Sequence, residues 1–421
     1  MKAEIIAVGS ELLTPDRMDT NSLFLTAQLN RLGIEVVRKT IVGDEPESLQ
    51  RQFRAALELA DVIIASGGLG PTEDDLTREA LSAVLRRPLV QDDAILKDIE
   101  KKFERFGRTM PQINAKQALV PVGAAVLPNP RGTAPGLWVE DGKRLVILMP
   151  GPPSELEPMF IEQVIPRLET RVTGTRLSTR ALRVTGMGES AVDQAIAPIY
   201  KGYRDVQTTL LHFPGEIHVY LRLWSADEVA AQKRLDEMVE RMRLALGESL
   251  FTTKGEEMEQ VVAHLLTWHG ATIAVAESCT GGMLGERLTR QPGSSAYFVG
   301  GVISYSDAMK TAWIEVPQEI IATKGSVSAE AARAMAAGVR RRSGATLGLA
   351  VTGIAGPTGG TTEKPVGTVH IALADAQGVE DKAFRFPGER ARIRGQATVA
   401  ALDMVRRYFL KHPDRPSRKE P

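Results

Sequence analysis

The sequence predicts an α/β protein in three parts: an N-terminal doubly wound, mostly parallel sheet over residues 1–172, a small α+β domain over 173–252, and a C-terminal α/β domain over 253–413. Three observations lead there. Apolar strand-like runs alternate with amphipathic stretches from residue 4 onward, the signature of repeated βαβ units. That alternation changes character near residue 176 and starts afresh after the polar stretch FTTKGEE. With 421 residues, the chain also exceeds what one hydrophobic core accommodates.

Taken in order, EIIAVG reads as a strand, TNSLFLTAQLNRLG as an amphipathic helix, IEVVRKTIVGD as a strand, EPESLQRQFRAALELA as a helix and DVIIASGG as a strand. RLVILMPGPPSELEPMF adds a strand, turn and helix that close the first domain. The middle domain shows a strand in TRALRVTG, a helix beginning in MGESAVDQAIAPIY, a strand pair near TTLLHFPGEIHVYLRLW and a helix from ADEVAAQKRLDEMVERMRLALG. It carries no motif that reads as catalytic, and is expected to act as an interface or spacer. The last domain runs helix EEMEQVVAHLLTWHG, strand ATIAVAE, a helix after GG, strand GGVISYS, helix VSAEAARAMAAGVRRR, strands ATLGLAVTG and VGTVHIALA, and a final helix from about Arg392. Residues 414–421, charged and proline-bearing, are expected to be disordered.

Composition narrows the function. Formal net charge is zero and no block of five or six like charges occurs, which argues against nucleic acid or membrane as partner and for small-molecule substrates. A single cysteine, Cys279, excludes an internal disulfide and points to a reducing, cytoplasmic setting. No stretch approaches the roughly 20 apolar residues that span a bilayer.

Ser278 in AESCTGG lies where a buried strand turns into a helix N-terminus, a position from which a nucleophile can be exposed beside main-chain N–H groups that stabilise an oxyanion. Serine is equally a preferred helix cap, and Cys279 is a competing nucleophile if ionised there. The domain offers only His264, His269 and His370, none in a loop that obviously faces the strand ends, so a Ser-His-Asp triad is not signalled. GGVISYSDAMK supplies Tyr305 and Lys310 at the next strand end, with Asp307 as a candidate helix cap between them. A Ser-Lys pair is an established alternative, provided that burial lowers the lysine pKa; a solvated surface lysine is the competing reading. GIAGPTGG is a plain turn or an anion-cradling nest, and FPGERARIRGQA places Arg390, Arg392 and Arg394 at a helix start, where one or two could hold a phosphate.

AESCTGG, SYSDAMK, GSVS at 325–328, TGIAGPTGG, EKPVGT and PGERARIRGQA, in this order, resemble the CinA C-terminal family across residues 256–411. The resemblance implies hydrolysis of nicotinamide mononucleotide to nicotinic acid mononucleotide and ammonia, with no cofactor. It makes Ser278 the nucleophile, Lys310 its base and Tyr305 a supporting hydroxyl. Arg394 and Arg390 would hold the phosphate, and Thr280, Gly281, Gly282, Ser328, Gly353 and Gly356 would line the substrate.

SGGLGPTEDDLT, residues 66–77, follows the third strand. Gly67, Gly68 and Gly70 let a phosphate approach the backbone, while Asp74 and Asp75 either hold a divalent cation or are ordinary first-turn acids. Glu11, Asp19, Asn21, Asp44 and Glu155 are expected at neighbouring strand ends. With GSELL and DTNS, this loop resembles the MoaB/MogA-like, molybdopterin-binding-like N-terminal half of CinA proteins over residues 1–250. That implies ADP-ribose hydrolysis to AMP and ribose 5-phosphate with a divalent metal, magnesium or a transition metal, and potassium as a further candidate. Asp75 is the first-choice ligand, then Asp44 and Asp74; Asn21, Thr72 and Glu155 join the glycines as substrate contacts. The resemblance also implies a homodimer. Loss of chemistry in one domain, leaving a nucleotide- or molybdopterin-binding module, is the alternative.

Overall fold

A computed structural model describes residues 1–105, 107–172 and 174–413, so the predicted disordered tail lies outside the described residues. Two compact units are formed, Met1–Ser178 with Trp224–Ala231, and Thr179–Leu223 with Gln232–Pro421.

In the first unit the strands are β1 (Lys2–Val8), β2 (Glu35–Val42), β3 (Val62–Ser66), β4 (Leu89–Gln91), β5 (Leu119–Pro121), β6 (Ala125–Leu127), β7 (Gly136–Asp141) and β8 (Arg144–Met149). The main sheet has the order β2-β1-β3-β8-β7-β6, and β4 pairs with β5 in a separate ribbon. β2, β1, β3 and β8 are parallel; β7 and β6 are antiparallel to their neighbours. Strands β1 and β3 are buried on both faces because helices cover both sides. Alternate residues serve two cores: Ile6, Ile63 and Ala65 pack with Phe53 and Leu81, whereas Ile5, Val62 and Ile64 pack with Leu25 and Phe160. Glu4 is fully buried between them, and Arg38 neutralises it at 2.7 Å. Because β2 and β3 flank β1 on opposite sides, a crevice opens above the carboxyl ends of β1 and β3.

The middle sheet consists of β9 (Arg176–Thr185), β10 (Gln207–Phe213), β11 (Glu216–Ser225) and β12 (Leu250–Thr252), in the order β10-β11-β9-β12. Helices Glu189–Tyr200 and Glu228–Leu246 accompany it. The C-terminal sheet consists of β13 (Ile273–Glu277), β14 (Phe298–Ile303), β15 (Leu347–Gly353), β16 (Thr368–Ala374) and β17 (Val379–Arg385), in the order β14-β13-β15-β16-β17. β14, β13 and β15 are parallel, and β16 and β17 return antiparallel. Val275 joins the core beneath helices Met258–Trp268 and Arg390–Lys411, while Ala274 and Ala276 face helix Ala329–Ser343. That helix lies close on the sheet: a Cβ at Gly348 would come 2.3 Å from the carbonyl oxygen of Ala336.

Six strands escaped the sequence reading. β4, β5, β6 and β12 are only three residues long, β7 reverses the parallel pattern, and β17 is a sheet-edge strand of mixed charge, VEDKAFR, without an apolar run.

Candidate active sites

Strand β13 ends at Glu277, and the next residue, Ser278, donates its N–H to the carbonyl of Val351 on β15 at 3.0 Å. The chain then turns through Gly281 and Gly282, both at positive φ, into the short helix Met283–Thr289. That helix is capped by Glu277, not by Ser278. The Glu277 carboxylate, 1% exposed, accepts the N–H groups of Gly282 at 2.9 Å, Leu284 at 3.1 Å and Gly285 at 2.9 Å. The capping role is thereby removed from the serine. The same bonds occupy N–H groups at the helix start that the sequence reading offered to an oxyanion, which leaves the amides directly following Ser278, those of Cys279 and Thr280, as the nearest candidates.

Beside β13, strand β14 leads through Ser304, whose N–H bonds the Glu277 carbonyl at 2.8 Å, to helix Asp307–Ile314. Ser306 caps this helix by accepting the Met309 N–H; Asp307, expected to be the cap, is its first helical residue. One turn in, Lys310 points back towards the strand ends and is 1% exposed. Its Nζ lies 3.3 Å from Ser278 Oγ and donates to the main-chain carbonyl of Tyr305 at 3.2 Å. Burial pushes the Lys310 pKa below its usual range, opposed by Asp307 at 3.8 Å. The surface-lysine reading therefore fails.

Cys279 points the other way, into the core against Gly353, and burial pushes its thiol up to about 11. A thiol so protonated is a poor nucleophile. Among the described residues none of the three histidines hydrogen-bonds Ser278: His264 pairs with Glu256 at 3.4 Å, His269 stacks on Phe409, and His370 sits in β16 with its pKa lowered by burial.

The arginines divide by helical geometry. Arg390 and Arg394, one turn apart, face the Ser278 side: Arg394 donates to the Thr280 carbonyl at 2.7 Å, and Arg390 to the Gly356 carbonyl at 2.9 Å and the Tyr305 hydroxyl at 3.1 Å. Arg392, about 200° around from Arg390, meets His212 at 3.2 Å instead. Tyr305 thus turns its hydroxyl to Arg390, and what it gives Lys310 is its carbonyl. Ser328, expected to line the substrate, caps helix Ala329–Ser343 by accepting the Ala331 N–H at 3.1 Å and donates to the Gly325 carbonyl at 2.9 Å. Gly353 and Gly356 occur where a Cβ would clash, with Val369 at 2.7 Å and Val366 at 2.6 Å. Thr280 Oγ1, Ser304 Oγ and Arg394 Nε are buried without a hydrogen-bond partner among the described residues. Sequence reasoning missed Glu277 and Ser304; the only signal for Ser304 was its place one residue beyond β14, in register with Ser278 beyond β13.

In the first unit, Gly67, Gly68, Gly70, Thr72, Asp74, Asp75, Asn21, Asp44 and Glu155 all line one cavity of about 750 Å3 at the β1/β3 crevice, together with Glu11 and Asp19. The glycine loop hugs the sheet so closely that a Cβ on Gly67, at φ +102°, would lie 2.2 Å from the Val8 carbonyl. Asp75 braces the loop, accepting the N–H groups of Gly70 at 2.8 Å and Thr72 at 2.9 Å. Arg78, 1% exposed and not anticipated, donates to the carbonyls of Leu69 and Gly70 at 3.0 and 3.1 Å. Asp44 accepts the Ser10 N–H, Glu155 the Asn129 amide, and Asn21 donates to the Gly151 carbonyl. Among the described residues no three His, Cys, Asp or Glu side chains form a group that could hold a metal ion. Asp75, Asp44 and Asp74 therefore share a cavity but are not assembled as a ligand set.

Among the described residues no helix is long and apolar enough to cross a membrane. Three family models match in succession: a probable molybdopterin binding domain over 4–170, the damage-inducible protein CinA KH domain over 179–252, and the CinA C-terminal domain over 255–409. A CinA-like protein of Solibacter usitatus is 47% identical over 97% of this chain and 98% of its own. A putative competence-damage inducible protein of Symbiobacterium thermophilum is 43% identical over 98% of this chain and all of its own. The crystal structure of a competence/damage inducible protein from Agrobacterium tumefaciens, 38% identical, covers 36% of this chain and 92% of its own with a TM-score of 0.35. With these motifs, this domain order and full-length relatives at that identity, the chain belongs to the CinA family.

Proposed function

We propose that the C-terminal domain hydrolyses the carboxamide of nicotinamide mononucleotide, giving nicotinic acid mononucleotide and ammonia. The observation that carries this reading is a buried lysine amine 3.3 Å from a serine hydroxyl that is free of any capping role. Neutral Lys310 takes the proton of Ser278 Oγ as that oxygen attacks the amide carbon. The resulting ammonium returns the proton to the amide nitrogen, ammonia leaves, and an ester to Ser278 remains. Water, deprotonated by the same amine, then attacks the ester and releases the acid, and the proton goes back to Ser278. Thr280 Oγ1, Ser304 Oγ and Arg394 Nε are buried polar atoms without partners among the described residues, as groups awaiting a polar substrate would be. Arg390 and Arg394 supply the positive charge that a 5′-phosphate requires. Ammonia release from nicotinamide mononucleotide by the purified chain tests the proposal; a chain that binds the nucleotide but releases none would defeat it.

The N-terminal cavity supports a second reading, hydrolysis of ADP-ribose to AMP and ribose 5-phosphate. Its support is a glycine loop at the sheet's switch point in a cavity large enough for a dinucleotide-sized ligand. The divalent metal expected there finds no assembled ligand set among the described residues. A molybdopterin-binding role is the competing assignment, in line with the description of the matching family model. Measuring AMP formed from ADP-ribose, with and without added divalent metal, against pterin binding separates the two.

A further inference from the structure

The last helix carries a third arginine that the Ser278 site does not use. Arg392 and, one turn later, Gln396 share the face turned away from that site, and they line a cleft of about 880 Å3 within the second unit. One wall is the edge strand β17 and the segment after it, the other the turns at 185–188 and 212–217 of the middle sheet.

Three features make this cleft more than a seam. Gln396 is 8% exposed, and its Oε1 is buried with no partner among the described residues, which is unfavourable unless something supplies a donor. Phe384 and Phe386 stack at 5.2 Å, with Lys382 Nζ 5.2 Å from the Phe384 ring centre, giving an aromatic and positive wall. The acids lining the cleft are already paired: Glu380 with Lys411, Asp403 with Arg407 and Glu216 with Arg287. Lys382, Arg385 and Arg392 make no ion pair among the described residues, which leaves a surplus of positive charge.

We infer that this cleft is a further ligand site, for a mononucleotide, with its base against Phe384 and Phe386, an exocyclic amine donating to Gln396, and its phosphate on Lys382 and Arg392. The paired acids interspersed among the cations suit one compact anion better than an extended polyanion, whose backbone tracks a continuous basic groove.

Calorimetric titration of the full chain with AMP, inorganic phosphate and adenosine tests this, with a short oligodeoxyadenylate as a further arm. AMP is expected to bind saturably and more tightly than either half. Arg392→Glu and Lys382→Glu, both at exposed positions, should each weaken that binding at least tenfold with unchanged melting temperature. Absence of saturable AMP binding at millimolar concentration, AMP binding indifferent to both charge reversals, or binding of the oligonucleotide but not of AMP would each overturn the assignment.

Discussion

The amine of Lys310 and the hydroxyl of Ser278 lie 3.3 Å apart, with the two residues 1% and 8% exposed. Desolvation disfavours the ammonium form and so makes this lysine available as a base nearer neutrality than the ordinary value of about 10.4 allows.

The pH profile follows from that. kcat/KM for nicotinamide mononucleotide should rise as Lys310 loses its proton and level off below the ordinary lysine pKa. Asp307, 3.8 Å away, favours the ammonium, so Asp307→Asn should move the rising limb to lower pH. A limb that stays put or moves upward contradicts the assignment of Lys310 as base.

Stability should show the same group with opposite consequences. Because the folded pKa is lowered, the unfolded chain binds the extra proton, and stability rises with pH between the depressed folded pKa and the unfolded value. Lys310→Met removes that dependence. At pH 7 it should melt at or above the wild type, by about 1 kcal/mol at the low end for replacing a buried charge with an apolar side chain, while activity is lost. Thermal melts across pH, paired with ammonia assays, check both halves.

Glu277 should prove a positioning residue. In Glu277→Gln an NH2 group faces main-chain N–H donors, costing about 2 kcal/mol of stability. Displacement of the turn that carries Ser278 should also lower kcat by roughly tenfold, equivalent to about 1.4 kcal/mol of barrier. A denaturant midpoint that falls while kcat stays constant would reduce Glu277 to a purely structural cap.

These relationships mark where the sequence was readable. The strand-turn-helix around Ser278, the neighbouring strand end bearing Lys310, and the glycine loop at β3 follow from hydrophobic runs and turn residues, which are local signals. Glu277 was hidden because its bonds depend on the chain folding back through two positive-φ glycines, a route that capping preferences do not describe. Ser328 was the reverse case: a serine just before an alanine-rich helix is the ordinary cap, and the structure uses it so. Tyr305 contributes its carbonyl to Lys310, and no side-chain rule reports on a carbonyl. Arg392 was separable from Arg390 and Arg394 by helical phase alone, though only tertiary structure showed that its face meets the middle sheet.

In the N-terminal unit, Gly67→Ala should destabilise by more than about 1 kcal/mol, since the new Cβ would meet the Val8 carbonyl at 2.2 Å and φ is +102°. ADP-ribose binding should weaken while release of ammonia from nicotinamide mononucleotide persists. Equal loss of both would contradict separate sites.

The most direct test of the central claim compares ammonia release from nicotinamide mononucleotide by the wild type, Ser278→Ala, Lys310→Met and Cys279→Ala at the pH of the plateau. The Ser278/Lys310 account predicts turnover abolished in the first two variants and largely kept in the third, whose buried thiol is pushed up to about 11. Turnover surviving Ser278→Ala, or vanishing in a folded Cys279→Ala protein, would contradict it.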